Sequence, residues 1–548
     1  MPADPNFAIY FAGDAYSTER KIMGRQAAGK SLLNGVARTW PSGHVRGIVH
    51  DDAGTQAFSR QLEGDGFNGT FSSSRIPDWS AAREAGVLYY PAPPYREFAA
   101  KRSLMHPAAF SIFGVTHTLS STGAMDQVSD LLLPPFQPWD ALICTSQAAK
   151  LFVERLQEDM RAYWRQELGA SKFVNVELPV IPLGVNSPAF HSTLQDRNAA
   201  RIALGLGDEE VAFLFAGRLS FHAKANPAPM YQALEKVAKG RSITCIEAGV
   251  FPNEAVRQAF LGAQSALAPS VKFIWVDGRD DGAYANAWRG ADVFVSLSDN
   301  IQETFGLTPL EAMAAGLPVI VSDWNGYKDT VRDGIDGYRI ATILPPPGTA
   351  ADLAWRYGND IDNYDYFIGR ASLATVVDPG ATASSFAKLA DDPGLRRQMG
   401  DAARKRAVNE FDWPVILRHY ADLSHHLNEI RIKHINSTSA KIPNRADPFE
   451  RFAHFPTMQV GREWIVSPCK DAGERLGLLI KLSMVNYAVN PVLLPAETLA
   501  EMAAFVNATG TTQVGNLLGL GSQGEAVAMR CLMWLWKFDL VAIRPRGV

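Results

Sequence analysis

The stretch Asp299 to Gly337 reads DNIQETFGLTPLEAMAAGLPVIVSDWNGYKDTVRDGIDG. A loop, a helix and a buried strand follow one another in it. Thr308 is placed to cap the helix, Pro309 suits its first position, and Glu311 falls at the third. Ala312 to Ala315 continue the helix and Gly316 ends it, because glycine accepts the left-handed turn that closes helices. Leu317 to Ser322 is apolar enough for an internal strand. This order turns the helix N-terminus toward the end of the sheet where open α/β folds bind ligands. The free N–H groups of Gly306, Leu307 and Thr308 can receive an anion there. Taken alone, Glu311 forms a capping box with Thr308, and Glu303 is an ordinary loop acid.

Working outward, short apolar runs alternate with helical stretches on both sides. Before it come Phe7–Ala12, Val45–Val49, Ser111–Val115, Ala141–Thr145 and the extended run Val176–Leu183, with helices at Gly24–Trp40 and Gln147–Leu156. The apolar signal fades around Pro188–Asn198, which reads as a linker. It restarts with Val211–Ala216, a helix at Pro229–Ala238, and strands at Ser242–Ala248, Val271–Val276, Val293–Leu297 and Pro318–Ser322. Alternation of this kind predicts parallel sheets with helices on both faces. Two such halves predict a ligand cleft between them.

The domain reading is 1–190, 191–430 and 431–548, with an insertion near 341–380. The insertion holds Pro345-Pro346-Pro347-Gly348 and the aromatic residues Trp355, Tyr357, Tyr364, Tyr366 and Phe367. The tail has an apolar run at Leu476–Val489, then helices at Leu494–Asn507, Val514–Leu520 and Gly524–Phe538, then a strand at Leu540–Arg544. Three helices and a strand are the element order of a winged helix. Its last helix carries Arg530 and Lys537 among Val527, Met529, Leu532, Met533, Trp534, Leu535 and Trp536. That composition fits a core or protein-contact face better than DNA phosphates. The expected roles of the tail are therefore homodimerisation, protein contact or acceptor binding.

The composition is globular: 548 residues, 47% hydrophobic and 20% charged. A net charge of −4 gives no global pull toward nucleic acid or anionic lipid. Cys144, Cys245, Cys469 and Cys531 are too scattered for a metal or redox pair, which predicts a reducing, cytoplasmic setting. The N-terminal stretch lacks the basic start and apolar core of a signal peptide, and no apolar run is long enough to span a bilayer. Membrane contact is expected to be peripheral at most.

Glu303, then Phe305-Gly306-Leu307, then Glu311 eight residues after the first glutamate, then Ala-Met-Ala-x-Gly-x-Pro-Val, resembles the signature of the retaining glycosyltransferase family 4. The likeness is close over the quoted stretch and weaker over the two halves together. It implies a GT-B fold: two Rossmann-like domains facing a cleft, acceptor side first, nucleotide-sugar side second. It implies that Glu303 contacts the donor sugar, that Glu311 holds the ribose hydroxyls, and that the amides of Phe305, Gly306, Leu307 and Thr308 approach sugar and diphosphate. Phe215-Ala216-Gly217-Arg218-Leu219 with Lys224 resembles the family's second element, in which Arg218 and Lys224 neutralise the diphosphate beside Gly217. His222 is an additional candidate there. His117, after the Ser111–Val115 run, falls where relatives contact the sugar. Pro182–Asn186 resembles the exit from the first domain. The implied donor is a UDP-, GDP- or ADP-sugar, handled without a cofactor or an obligatory metal. The acceptor is a glycan, a lipid-linked group or a protein. The loop Trp275–Gly278 is a candidate for the donor base.

Gly24-Arg25-Gln26-Ala27-Ala28-Gly29-Lys30-Ser31 matches the phosphate-binding pattern GxxxxGK[ST] letter for letter. A true P-loop follows its strand at once, whereas eleven residues separate Ala12 from Gly24. Leu32, Leu33, Val36 and Ala37 also continue a helical face through it. In the resembling family the glycine opening the first helix lets backbone approach the donor phosphates, and Gly24 is its best match. Two other readings stay open at this stage: a GT-B glycoside phosphorylase, and a P-loop nucleotide hydrolase or kinase built on Gly24–Ser31.

Overall fold

The computed structural model describes residues 4–16, 24–436, 442–487, 495–520 and 523–547. It divides into two compact units, Met1–Ile442 and Pro443–Val548.

The first unit holds two six-stranded parallel sheets. One contains β1 (Ala8–Tyr10), β2 (His44–Val49), β3 (Thr70–Arg75), β4 (Val87–Tyr90), β5 (Ser111–Val115) and β6 (Ala141–Ile143), in the order β3-β2-β1-β4-β5-β6. The other contains β7 (Val211–Ala216), β8 (Ile243–Gly249), β9 (Lys272–Asp277), β10 (Val293–Ser296), β11 (Val319–Ser322) and β12 (Gly337–Ile340), in the order β12-β11-β10-β7-β8-β9. The second order is the first one read from its other edge, so both are Rossmann sheets. Each leaves a crevice at the carboxyl ends of its strands, where the winding direction reverses. This is the GT-B arrangement. The central strands β4, β5 and β8 are buried throughout, as strands covered on both faces must be. β3 (TFSSSR) is a polar edge strand that hydropathy alone does not reveal.

Two features of the domain reading change. The stretch read as a linker is structured: Ser187–Phe190 is a 3-10 turn and Leu194–Ala203 a helix with a full Thr193–Asp196 capping box. Arg197 and Arg201 of that helix pin it to Asp292, at 2.6 and 3.0 Å, so it belongs to the second domain. The helix Trp413–Ile432, read with residues 191–430, instead packs on the first sheet. Trp413 donates its indole N–H to Ser31 Oγ at 2.6 Å. Its ring fills the space above Gly35 and Gly184, where an added Cβ would come within 2.4 and 2.3 Å. Tyr420 packs on Tyr89 and Phe113, and Ser424 bonds the carbonyl of Asn6. Helical periodicity shows that such a helix has an apolar face, not which sheet that face covers.

The two chain crossings between domains lie side by side. Val185 N–H donates to Phe411 O at 2.8 Å, and Trp413 N–H donates to Val185 O at 3.1 Å. Arg38 clasps both, with Asp412 at 2.8 and 3.0 Å and Asn186 at 2.8 Å.

The insertion is a helical hairpin, Ala351–Gly358 and Tyr364–Leu373, closed by an antiparallel ladder of Thr342–Ile343 with Val376–Val377. Asp362 at its turn accepts from Arg356 and Arg370, which fixes the angle between the helices.

The second unit is built on a three-stranded antiparallel sheet in the order Thr512–Gln513, Ile465–Pro468, Val541–Arg544. The helices Ala496–Thr509, Val514–Leu517 and Glu525–Lys537 precede its last strand, in the order the sequence predicts. Ile465–Pro468 and Thr512–Gln513 are additional strands. The helix Glu525–Lys537 buries Ala528, Cys531, Leu532, Trp534 and Leu535 in the core of its own unit. Parts of the run Leu476–Val489, and Leu494 at the start of the expected helix, lie outside the described residues. No helix among the described residues is long and apolar enough to cross a membrane.

Candidate active site

β7 ends at Ala216 and the chain turns at Gly217, whose φ of +141° is open to glycine and strained for other residues. A Cβ there would meet nothing within 4 Å, because the position faces a cleft. Phe215, Gly217, Lys224, Ser298, Glu303 and Thr308 are among its walls. Arg218 follows directly. It donates to Gln302 Oε1 at 2.9 Å, and its Nε–H is buried without an acceptor. Lys224 reaches Glu303 Oε2 at 2.9 Å. The structure therefore brings Gly217, Arg218, Lys224, Glu303 and Thr308 together in one place.

The far wall is the helix Leu307–Ala315. Its N-cap is Gly306, with φ +82°. A Cβ on Gly306 would lie 2.0 Å from the ring of Tyr327, so both backbone and packing demand glycine. Thr308 is the second helical residue, Pro309 the third and Glu311 the fifth. This corrects the capping expectation: no side chain caps this helix. A glycine cap leaves the first-turn amides turned outward without a built-in acceptor, which is the condition for receiving an external anion.

Among the described residues Glu311 has no hydrogen-bond partner, and desolvation pushes its carboxyl up to about 7. Asp299 is buried, and burial pushes its carboxyl up to about 7 as well. One of its oxygens accepts from the Asn226 N–H at 3.4 Å, and the other is buried without a partner. Tyr327 is fully buried and its hydroxyl meets Ser296 Oγ at 2.8 Å.

The loops after β5 and β6 touch this wall from the first domain. Thr118 Oγ1 donates to the carbonyl of Gln302 at 3.2 Å, and Ser146 Oγ donates to the carbonyl of Thr304 at 3.3 Å. His117 precedes Thr118 on the loop after β5 and hydrogen-bonds the carbonyl of Pro91 at 3.0 Å. Asn325 holds the wall from below in a left-handed conformation, φ +44°. It donates to Glu303 O at 2.6 Å and accepts from Ser146. A left-handed non-glycine residue costs energy and persists where its contacts hold it.

Gly24 opens the helix Gly24–Thr39 on the other sheet, and the residues preceding it, 17–23, lie outside the described ones. All of Gly24–Ser31 is helical, so the segment forms no loop after a strand that could wrap phosphates, which removes the P-loop reading. His222 lies near Ser220, and its carbonyl accepts from Asn300 at 2.7 Å. Trp275 is half-exposed beside Phe251 and Arg257, with its N–H on Gly249 O at 3.3 Å.

Gln302, Asn325, Tyr327 and Tyr364 were not anticipated. The Asn325-Gly326 pair is a turn signal that could have flagged the first left-handed position. Gln302 and Tyr364 act through contacts between segments far apart in sequence, for which a single sequence carries no signal.

Residues 196–356 match the family described as Glycosyl transferases group 1. The chain is 33% identical over 185 residues to D-inositol 3-phosphate glycosyltransferase of Geodermatophilus obscurus, covering 31% of this chain and 38% of the relative. It is 31% identical over 198 residues to phosphatidyl-myo-inositol mannosyltransferase of Mycobacterium tuberculosis, covering 36% and 47%. The matches thus span less than half of these curated relatives. Among solved structures, Anabaena HepE in complex with UDP aligns with a TM-score of 0.49 and 16% identity, over 77% of this chain and 99% of that one. The matched segment, residues 196–356, is the one that carries Arg218, Lys224, Glu303 and Glu311, and it is similar to the group 1 glycosyl transferases.

Proposed function

We propose that the protein transfers a sugar from a nucleoside-diphosphate sugar to an acceptor hydroxyl, with retention of anomeric configuration. One observation carries this reading: at a glycine corner of the sheet Arg218 bonds Gln302 and Lys224 bonds Glu303, on the loop that leads into a helix start that no side chain caps. As the glycosidic bond breaks, negative charge grows on the departing diphosphate. Two fixed cations and a row of helix amides stabilise that charge more than they stabilise the ground state. Lys224 would exchange its contact with Glu303 for a phosphate, which frees Glu303 for the sugar hydroxyls. Glu311, without a partner among the described residues, would accept from the ribose hydroxyls. With the charge balanced by side chains, no obligatory metal is required. The acceptor hydroxyl would attack on the face the diphosphate leaves, which hands its proton to a phosphate oxygen. The curated relatives are named for inositol-containing acceptors, so polyols and their phosphorylated or lipid-linked forms head the list to try.

The test is thermal stabilisation of the full chain by UDP, GDP, ADP and their sugars, with ATP as control. Ligand at about a hundred times its Kd adds about 2.7 kcal/mol. One nucleoside diphosphate should stabilise selectively, and Arg218→Ala and Glu311→Ala should each abolish the shift. A shift with ATP alone, or one indifferent to both substitutions, would overturn the reading.

A further inference from the structure

The insertion reaches the site through the hydroxyl of Tyr364. Tyr364 lies beyond the family match, which ends at residue 356. Its Oη stands 2.7 Å from Ser120 Oγ and 3.1 Å from Thr118 Oγ1, both on the loop that follows His117 in the first domain. The same oxygen accepts from Gln302 Nε2 at 3.4 Å. The other end of that amide, Oε1, accepts from Arg218 at 2.9 Å. The two ends of the amide are not interchangeable: a guanidinium has only donors, so it must face the oxygen, and the NH2 must face Tyr364. Thr118 closes the ring by donating to the carbonyl of Gln302.

We propose that Tyr364 is a positioning residue for Arg218: its hydroxyl fixes the Gln302 amide, and thereby the guanidinium, only while the Thr118–Ser120 loop of the first domain is engaged. The insertion is then a sensor of cleft closure wired to a diphosphate-binding cation. Two further contacts support the placement. Tyr357 OH accepts from Thr122 N–H at 3.5 Å, and the Gly369 position abuts His222, so the hairpin touches the loops of both domains. Removing the Tyr364 hydroxyl leaves the aromatic packing with Tyr357 in place but frees the amide to rotate and Arg218 to wander. Neutral hydrogen bonds of this kind change an equilibrium by about three- to tenfold.

This inference rests on the donor-site reading above. The experiment is a double-mutant cycle on the full chain, with binding of UDP, GDP and ADP measured by calorimetry. Tyr364→Phe should weaken the bound diphosphate by about three- to tenfold and leave the thermal midpoint of the free protein unchanged. In the Arg218→Lys background, which keeps the charge but loses the fork, the same substitution should change affinity by less than about twofold. Ser120→Ala should reproduce the Tyr364→Phe effect from the other side of the cleft. An equal loss in both backgrounds would make Tyr364 a structural residue with no route through Arg218, and wild-type affinity in Tyr364→Phe would also overturn the proposal. If no nucleoside diphosphate binds the parent chain, the donor-site reading falls and takes this inference with it. If the parent binds and Arg218→Ala abolishes binding, a neutral Tyr364→Phe sinks this inference alone.

Discussion

Gly24–Ser31 and Gly217–Lys224 are both glycine-led segments with basic residues, and each lies after the first strand of a Rossmann sheet. The first matches a phosphate-binding pattern in every letter, while the second is a loose pair of cations. The structure inverts that ranking. In the first, Gly29 and Ser31 have packing duties. A Cβ on Gly29 would sit 2.2 Å from Ala15 O, Lys30 is exposed, and Ser31 accepts from Trp413. In the second, Gly217 turns an open corner, and Arg218 and Lys224 point at the cleft wall. What separates them is distance from the strand end. Gly217 follows β7 immediately, so its neighbours must sit at the mouth of the sheet.

The comparison can be broken or sharpened by substitution. The largest effect is expected from Arg218→Ala, a drop in kcat of about 10²–10³-fold in a transfer assay with the stabilising donor. An activity within tenfold of the parent would break the assignment. Next come the two glycines. Gly306→Ala forces a methyl into the Tyr327 ring at a left-handed φ, which should cost about 2–4 kcal/mol of stability. It should also weaken nucleotide binding. Gly29→Ala should lower the thermal midpoint too, yet the protein that stays folded should bind nucleotide normally. A selective loss of binding in Gly29→Ala would reopen the first segment as a ligand site.

A smaller, pH-dependent effect belongs to Glu311. Burial holds its proton up to about 7, and a carboxylate accepts from hydroxyls best when ionised. Affinity for a nucleotide sugar should therefore rise by about three- to tenfold between about pH 6 and pH 8, and Glu311→Gln should flatten the rise. The folded-state pKa of this group, like those of Asp299 and Glu247, lies above its unfolded value. Their contribution to stability is thus full below the ordinary carboxylate range and is lost as pH climbs through about 7. A midpoint that rises over that window would contradict all three. The smallest effect is expected from Lys30→Ala, with transfer and nucleotide affinity within about twofold of the parent, as for an exposed lysine away from any site.

The sheets were legible because fully buried parallel strands write continuous apolar runs, as in VAFLFA and VIVS. β3 was not, since an edge strand of serines carries no such run. The cluster of Gly217, Arg218, Lys224, Glu303 and Gly306 was legible through the family resemblance; Gly217 and Arg218 follow a strand and Gly306 starts a helix, while Lys224 and Glu303 lie in loops. The helix start was misplaced by two residues because Gly306, held by Tyr327, outcompeted Thr308 as the cap. Gln302, Asn325 and Tyr364 stayed hidden for a different reason: their roles exist only once distant loops are brought within hydrogen-bond reach.

The helix Trp413–Ile432 has a bearing on how the protein is made. It fills the core of the first domain with Trp413 and Tyr420, yet it is synthesised after the whole of the second. The ribosome therefore releases the first sheet with its Gly35–Gly184 seat empty and apolar surface bare, and only the helix that follows the second domain delivers the plug. Early folding of the N-terminal half would be reversible, and stable closure of both halves would come in one late step.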